Sequence, residues 1–428
     1  MSKFGQRLRR MLRGRKEALD EGPLSGALGA LLAENRQLLE RLRLTQDPGE
    51  DPVPVESLKG ATTTTTPFGP CFHLDTHFDL DEKHGSVTLA SIYSLETSHL
   101  EQLVGDKRLR SFSAERALFL DIEATGLDHG AGTFAFMVGL GFRDGARFTV
   151  RQLFLRNVAE EQALLHVLKE HLDSFDTLVS FNGKSYDLTV LQSRMVIQRF
   201  YTTQECSLKL QPHLDLLHLA RNIYRDRFED TRLPTLERGA LGFHRQDDIP
   251  SSLVPSMWYQ FLRSSHAGPI HAVAEHNLFD VLSMVTLAAQ LISDTRSPGR
   301  DVEFKNLLCL NLGRVLHRRG HFSESVQVLG EAVVEELGEE RGRECYRLMA
   351  RCFARQNAIA DQGQTLRKWV ASYPRDALGW TSLAIFQERS EKDIARALNS
   401  ARHAEIIVSD APARRRIDRL EKRLKRLK

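Results

Sequence analysis

Ala117-Leu118-Phe119-Leu120-Asp121-Ile122-Glu123-Ala124-Thr125-Gly126 is the stretch that decides how the rest of this chain is read. Four apolar residues predict a buried strand, and it runs out into two carboxylates separated by one residue. Side chains alternate along a strand, so Asp121 and Glu123 share a face while Ile122 points back into the core. Two acids on one face at the end of an apolar strand repel each other and are costly to desolvate. Protons or a divalent cation relieve that conflict. Taken alone the motif is short, and a strand end carrying two solvated acids is the plainer alternative.

Downstream, Thr133 to Phe142 and Arg147 to Leu155 are two apolar β-type runs, and the Asp144-Gly145 between them predicts a hairpin. Ala159 to Leu172 has helical spacing, Asp176 to Phe181 reads as a short strand, and Leu188 to Phe200 is helical again. His213 to Leu216 is a further candidate strand, and Ala272 to Ile292 is a long, largely apolar helix. Antiparallel strands followed by strands alternating with helices predict an α/β fold, a mixed sheet flanked by helices. Ahead of this, residues 1–65 read as an appendage: a basic start, a leucine-bearing helix from Leu28 to Leu44, then a linker from Gln46 to Val55 and through Thr62 to Thr66. Residues 67–94 are strand-like without a clear pattern.

The chain has 428 residues, more than one average domain, with 41% hydrophobic and 27% charged residues, as in ordinary water-soluble proteins. It has no apolar run of about 18 residues, so no membrane helix is expected. The basic N-terminus has no apolar core or cleavage site, so a secretory signal is not expected. Five scattered cysteines without a CxxC pair fit reduced thiols and a cytoplasmic location. The net charge of +3 implies no partner by itself, but basic residues crowd Lys3 to Lys16 and Arg414 to Lys428. Such ends can follow a phosphate backbone or can be solvated helices.

After Ser297-Pro298-Gly299 the pattern becomes all helical. Gly313, Ala350 and Ala384 recur about 34–37 residues apart, close to a helix-turn-helix repeat of about 34. Arg319 to Phe322 and Tyr373-Pro374 stand at turns, and Trp380 opens a third unit. The pattern resembles tetratricopeptide repeats, with a lengthened first unit and an irregular third; such repeats usually bind a peptide or protein. Cys345 and Cys352 fall on one helix face and read as packing residues.

Two further motifs extend the opening one. Ser180-Phe181-Asn182-Gly183-Lys184-Ser185-Tyr186-Asp187 places Asp187 at a helix N-terminus beside a strand end, where it is either a cap or a site acid. In Glu275-His276-Asn277-Leu278-Phe279-Asp280, His276 and Asp280 lie one turn apart on an apolar helix. They read either as a structural hydrogen-bonded pair or as a metal carboxylate with a neighbouring base. Asp215 is another acid near these strands, or a strand-end cap. Cys71, His73, His77 and His84 invite a zinc reading, but their spacing fits no familiar site.

Asp121, Glu123, Asp187 and Asp280 occur in the order D-E-D-D, and the chain resembles the DEDD 3′–5′ exonuclease superfamily with its ribonuclease H-like fold. Gly132 to Gly139, Gln152 to Arg156, His213 to Leu217 and Glu275 to Asp280 look more specifically like the YprB family of bacterial ribonuclease H-like proteins. The likeness covers roughly residues 66–295. It implies two divalent cations, Mg²⁺ or Mn²⁺, on the four carboxylates, and His276 as general base. It also implies single-stranded DNA or RNA as substrate, with Asn182, Lys184 and Thr125 as substrate contacts. In the superfamily the base is a His with four residues before the last Asp, or a Tyr with three; His276 has the residue of one class at the spacing of the other.

The expected organisation is a basic segment at 1–65, a ribonuclease H-like exonuclease domain at 66–295, tetratricopeptide-like repeats at 300–410 that recruit a protein partner, and a basic helix at 411–428. The alternative is a nucleic-acid-binding or scaffold protein with a weak nuclease site.

Overall fold

The computed structural model describes residues 52–126, 132–201, 212–246, 248–296 and 301–427. The basic N-terminal stretch, the leucine-bearing segment at 28–44, Cys206 and the breaker cluster at 297–299 lie outside the described residues. No helix among those described is long and apolar enough to cross a membrane.

The strands are β1 (Ala61–Thr66), β2 (Gly69–Asp79), β3 (Lys83–His84), β4 (Val87–Thr88), β5 (Ala117–Ala124), β6 (Ala135–Asp144), β7 (Arg147–Phe154), β8 (Thr177–Ser180) and β9 (His213–Asp215). Seven of them form one mixed sheet in the order β1-β2-β7-β6-β5-β8-β9. Pairing is antiparallel from β1 to β5 and parallel from β5 through β8 to β9. The expected hairpin joins β6 to β7, with Gly145 at φ 59° taking the left-handed conformation a tight turn needs. Helix α1 (Glu161–Ser174) leads into β8, and α2 (Asp187–Ile197) lies between the parallel strands β8 and β9, as a parallel connection requires. Two more helices follow, α3 (Val254–Ser264) and α4 (Gly268–Asp294); α1 packs on the Leu118, Leu120 and Ile122 face of β5, and the middle of α4 lies over the opposite face, against Gly139 and Gly141.

The strand opened by Ala117 is central and buried on both faces. Leu118, Leu120 and Ile122 join the main core with Leu164, Leu168 and Leu172 of α1, while Phe119 packs edge-on against Phe148. Burial on both sides is why β5 is continuously apolar until its acids.

Thr62 to Thr66, expected to be linker, belongs to edge strand β1, paired in register with β2 from Ala61↔Leu74 to Thr66↔Gly69. Five β-branched residues resemble low complexity by composition, but they suit a pleated edge. Thr64 Oγ1 meets His73 Nε2 at 3.0 Å, and Val55, the last residue of the expected linker, is buried.

The chain divides into two compact units. The first holds the sheet and its helices as far as Ala289; the second comprises Leu95–Ser111, Leu217–Thr235 and the chain from Gln290 onward. Residues 95–111 and 217–235, read from sequence as part of the sheet domain, thus group with the helices. Asn311 Nδ2 donates to the carbonyls of Ile223 at 3.1 Å and Arg225 at 2.8 Å, and Arg319 donates to Val104 O at 2.6 Å. No composition break marks these excursions.

The second unit is all helical after residue 301: α5 (Val302–Arg319), α6 (Phe322–Gly330), α7 (Glu339–Arg355), α8 (Ile359–Ser372), α9 (Ala377–Phe386), α10 (Ile394–Ile407) and α11 (Ala411–Leu427). Consecutive helices pack as pairs, α5 with α6, α7 with α8 and α9 with α10. A Cβ on Gly313 would fall 2.5 Å from Leu329, so the periodic small residue lies where α5 and α6 approach most closely. Ala350 and Ala384, at the repeated positions, are buried. Cys345 and Cys352 are buried free thiols, and burial pushes Cys345 up to about 12, far from thiolate reactivity.

Candidate metal centre and active site

Three elements of the sheet unit deliver the carboxylates. Asp121 and Glu123 leave one face of β5, opposite Gly139 and Met137 of β6. Asp187 opens α2, with Tyr186 at the cap position, so its charge sits at the positive end of the helix without serving as the cap. Asp280 and His276 project from the middle of α4. All five line one cleft of about 560 Å³, together with Asn182 and the half-buried aromatics Phe181 and Tyr186.

The turn before α2 is built to bring Asp187 in. Asn182 takes φ 66°, and Asp215 at the end of β9 accepts the backbone N–H groups of Asn182 at 2.9 Å and Lys184 at 3.1 Å. Asp215 therefore caps this turn. A Cβ on Gly183 would stand 2.4 Å from Ser180 Oγ and 2.9 Å from Asp187 Oδ2, so glycine is what lets the turn close on the acid.

Lys184 and Thr125 are not among the residues lining the cleft. Thr125 Oγ1 accepts the Phe134 N–H at 3.0 Å and fastens the end of β5 to the start of β6. The zinc candidates do not converge. His73 pairs with Asp75 at 2.9 Å, His77 with Thr149 at 2.9 Å, and His84 with Ser283 at 2.7 Å.

Asn277, which the sequence reading quotes without a role, donates from Nδ2 to Asp121 Oδ2 at 2.8 Å. Its Oδ1 accepts from Gln152 Nε2 of β7 at 2.9 Å, fixing which way the amide points. The sequence carries only an amide among the apolar residues of this helix; in the fold Asn277 is fully buried, and a buried amide must find partners. Gly139 makes room for it, because a Cβ there would lie 2.3 Å from Asn277 Oδ1. Gly139→Ala is therefore expected to push Asn277 away from Asp121 and destabilise the sheet unit by about 1–3 kcal/mol. A denaturation midpoint equal to that of the unsubstituted protein would contradict it.

Arg245 and Asp248 lie in an irregular segment without periodicity, and nothing in the sequence pointed to them. The Arg245 guanidinium is held by Glu237 through contacts of 2.9 and 2.5 Å, reaches Asp248 at 3.3 Å and bonds Asp280 Oδ1. Asp280 Oδ2 is left 3.6 Å from His276 Nε2.

The electrostatics follow from this crowding. Burial, reinforced by Asp280, Asp187 and Glu123, pushes Asp121 well above the ordinary carboxylate range, although part of its surface still opens to the cleft. Burial, with Asp280 and Asp187, does the same to Glu123. Asp187 is pushed up to about 8 by burial and by Asp215 and Asp280. Burial opposes a charge on His276, but its hydrogen bond to Asp248 and the charge of Asp280 prevail, and the imidazole is raised above its usual value.

Acids that cling to protons for lack of countercharge are acids that will exchange them for a cation. Glu123, His276 and Asp280 offer ligand atoms all within 4.8 Å of one another. A mainly carboxylate donor set suits a hard divalent ion.

A family model described as RNase_H superfamily matches residues 118–292, the span from β5 through α4. The chain is also 28% identical over 236 residues to YprB of Bacillus subtilis (strain 168), itself described as uncharacterized, covering 53% of this chain and 55% of that protein. The match thus spans about half the length of that curated relative. The family-model match spans the strand carrying Asp121 and Glu123 and the helices carrying Asp187, His276 and Asp280, so residues 118–292 are similar to the ribonuclease H superfamily, as the mixed sheet with its flanking helices is ribonuclease H-like.

Proposed function

We propose that this protein is a metal-dependent 3′–5′ exonuclease that hydrolyses phosphodiester bonds in single-stranded DNA or RNA. The observation that carries the reading is the convergence of four mutually repelling carboxylates, Glu123 and Asp187 buried and Asp121 and Asp280 half-buried, with one imidazole in a single cleft of a ribonuclease H-like domain. Asp121, Glu123, Asp187 and Asp280 would hold two Mg²⁺ or Mn²⁺ ions, which when bound supply charge neutralisation at the scissile phosphate and a lowered pKa for water. The protein's own groups do the rest. Nε2 of His276 faces the carboxylates and takes the proton from the attacking water. Asn277 holds Asp121 in one orientation, and Arg245 occupies one oxygen of Asp280, leaving the other turned to the cleft. Phe181 and Tyr186 line the cleft beside Asp187, and unpaired bases would stack on such aromatic rings. Asn182 and Lys184 stand on the turn at the cleft's edge, where a substrate backbone would pass. The paired helices of the second unit are read as tetratricopeptide-like repeats that recruit a protein partner.

The test uses purified protein, 5′-labelled single strands of DNA and RNA, and Mg²⁺ or Mn²⁺. A ladder of strands shortened from the 3′ end is expected, and chelation or Asp187→Asn should remove it. Intact strands with both polymers and both metals would refute the enzyme reading and leave nucleic-acid binding or scaffolding as the function.

A further inference from the structure

The imidazole of His276 has two ring nitrogens, and only one can face the carboxylate cluster. Nε2 does, 3.6 Å from Asp280 Oδ2. The other, Nδ1, is 2.6 Å from Asp248 Oδ1 and 3.3 Å from an Arg245 N–H donor. These two neighbours make opposite demands: a carboxylate needs a proton on Nδ1, whereas a guanidinium needs a lone pair there. The shorter, charge-assisted contact decides, so Nδ1 carries the hydrogen and donates it to Asp248, and the lone pair is left on Nε2.

Asp248 is itself held in place. Its second oxygen meets Arg245 at 3.3 Å, and Arg245 is fastened from behind by two contacts to the buried Glu237, which also accepts from Ser283. Ile249, the next residue, is anchored in the main core. Glu237, Arg245, Asp248 and His276 thus form a line of alternating charge that ends at the ring. We infer that Asp248 is the positioning residue of His276: it fixes the ring's tautomer and rotamer so that Nε2 stands ready as an acceptor over the carboxylates. The inference rests on the nuclease reading for its catalytic consequence.

The experiment is a double-mutant cycle on the full chain with Mn²⁺ and 5′-labelled single strands, with circular dichroism to confirm that each variant folds. Asp248→Ala and His276→Ala should each lower kcat about 10²-fold with KM nearly unchanged. Adding Asp248→Ala to His276→Ala should slow the enzyme no further, because the brace has nothing left to hold. A general structural role would instead slow both backgrounds equally, and that result overturns the inference. A second measurement needs no variant to fold and no activity. Long-range ¹H–¹⁵N correlation of histidine-labelled protein with Mg²⁺, at a pH where the ring is neutral, should show His276 protonated on Nδ1. Protonation on Nε2 overturns the inference. If no strand is shortened under any condition, the nuclease reading falls, and the tautomer alone upholds or overturns the pairing of Asp248 with His276.

Discussion

Asp121→Asn is expected to abolish 3′-end shortening and, in the same protein, to raise the melting temperature of the metal-free form at pH 8 by about 2–6 °C. The two effects share one cause. Burial, together with the charges of Asp280, Asp187 and Glu123, holds the Asp121 carboxyl far above the ordinary range. In the absence of a cation this crowding opposes folding; on the proposed nuclease reading the charge serves when a cation and a phosphate arrive. Asparagine keeps the shape, and its carbonyl oxygen can still accept from Asn277 Nδ2, which donates to Asp121 at 2.8 Å. What is lost is the negative charge: one ligand oxyanion for a divalent ion, worth at least about 10³-fold in turnover if the ion supplies the main electrostatic stabilisation. Activity and stability therefore move in opposite directions, which separates this reading from one in which Asp121 is structural. A variant that is both inactive and less stable than the unsubstituted protein would favour the structural role.

The legible and illegible parts of this site differ in a physical way. β5, the Asn182 turn and α4 announce themselves because each couples a regular element to a polar interruption: acids after an apolar strand, a glycine turn before a helix, a His and an Asp on an otherwise apolar helix. Periodicity supplies the background against which those residues stand out. Arg245 and Asp248 belong to a segment with no period, so their charges look like any solvated loop until the fold brings them to His276 and Asp280. Gln152 was hidden for a different reason. It sits in a β-type run where alternation allows a polar residue on either face, and only the pairing of β7 with β6 turns it toward Asn277. β1 was missed because composition outweighed propensity in reading five threonines. Residues 95–111 and 217–235 show the limit of boundary reading: chain that returns to another unit without a Pro- or Gly-rich joint leaves no mark in the sequence.

The metal-free protein should lose stability as pH rises from about 4 to about 8, and a divalent cation should restore it. Asp187 carries the argument because its folded value, about 8, lies far above the 3.8 of an unperturbed aspartate. Between those two values the unfolded chain has released this proton while the folded chain retains it. The folded state then binds more protons, so unfolding is favoured progressively as pH rises, and the loss is complete above the folded value. Asp121 and Glu123, raised for the same reasons, act in the same direction. A cation that binds the carboxylates must displace these protons, so its affinity rises with pH. The shift in melting temperature on adding millimolar Mn²⁺ should accordingly be several degrees at pH 8 and much smaller at pH 5.5. Asp187→Asn removes one of the titrating groups and should flatten the metal-free profile between pH 4 and 8 while weakening the response to Mn²⁺. Differential scanning fluorimetry across that range, with and without chelator, reads both slopes. A melting temperature indifferent to Mn²⁺ at pH 8, or a profile as steep in Asp187→Asn as in the unsubstituted protein, would mean that these acids are neutralised from within the fold by groups such as Arg245, and that the cluster is not poised for a cation.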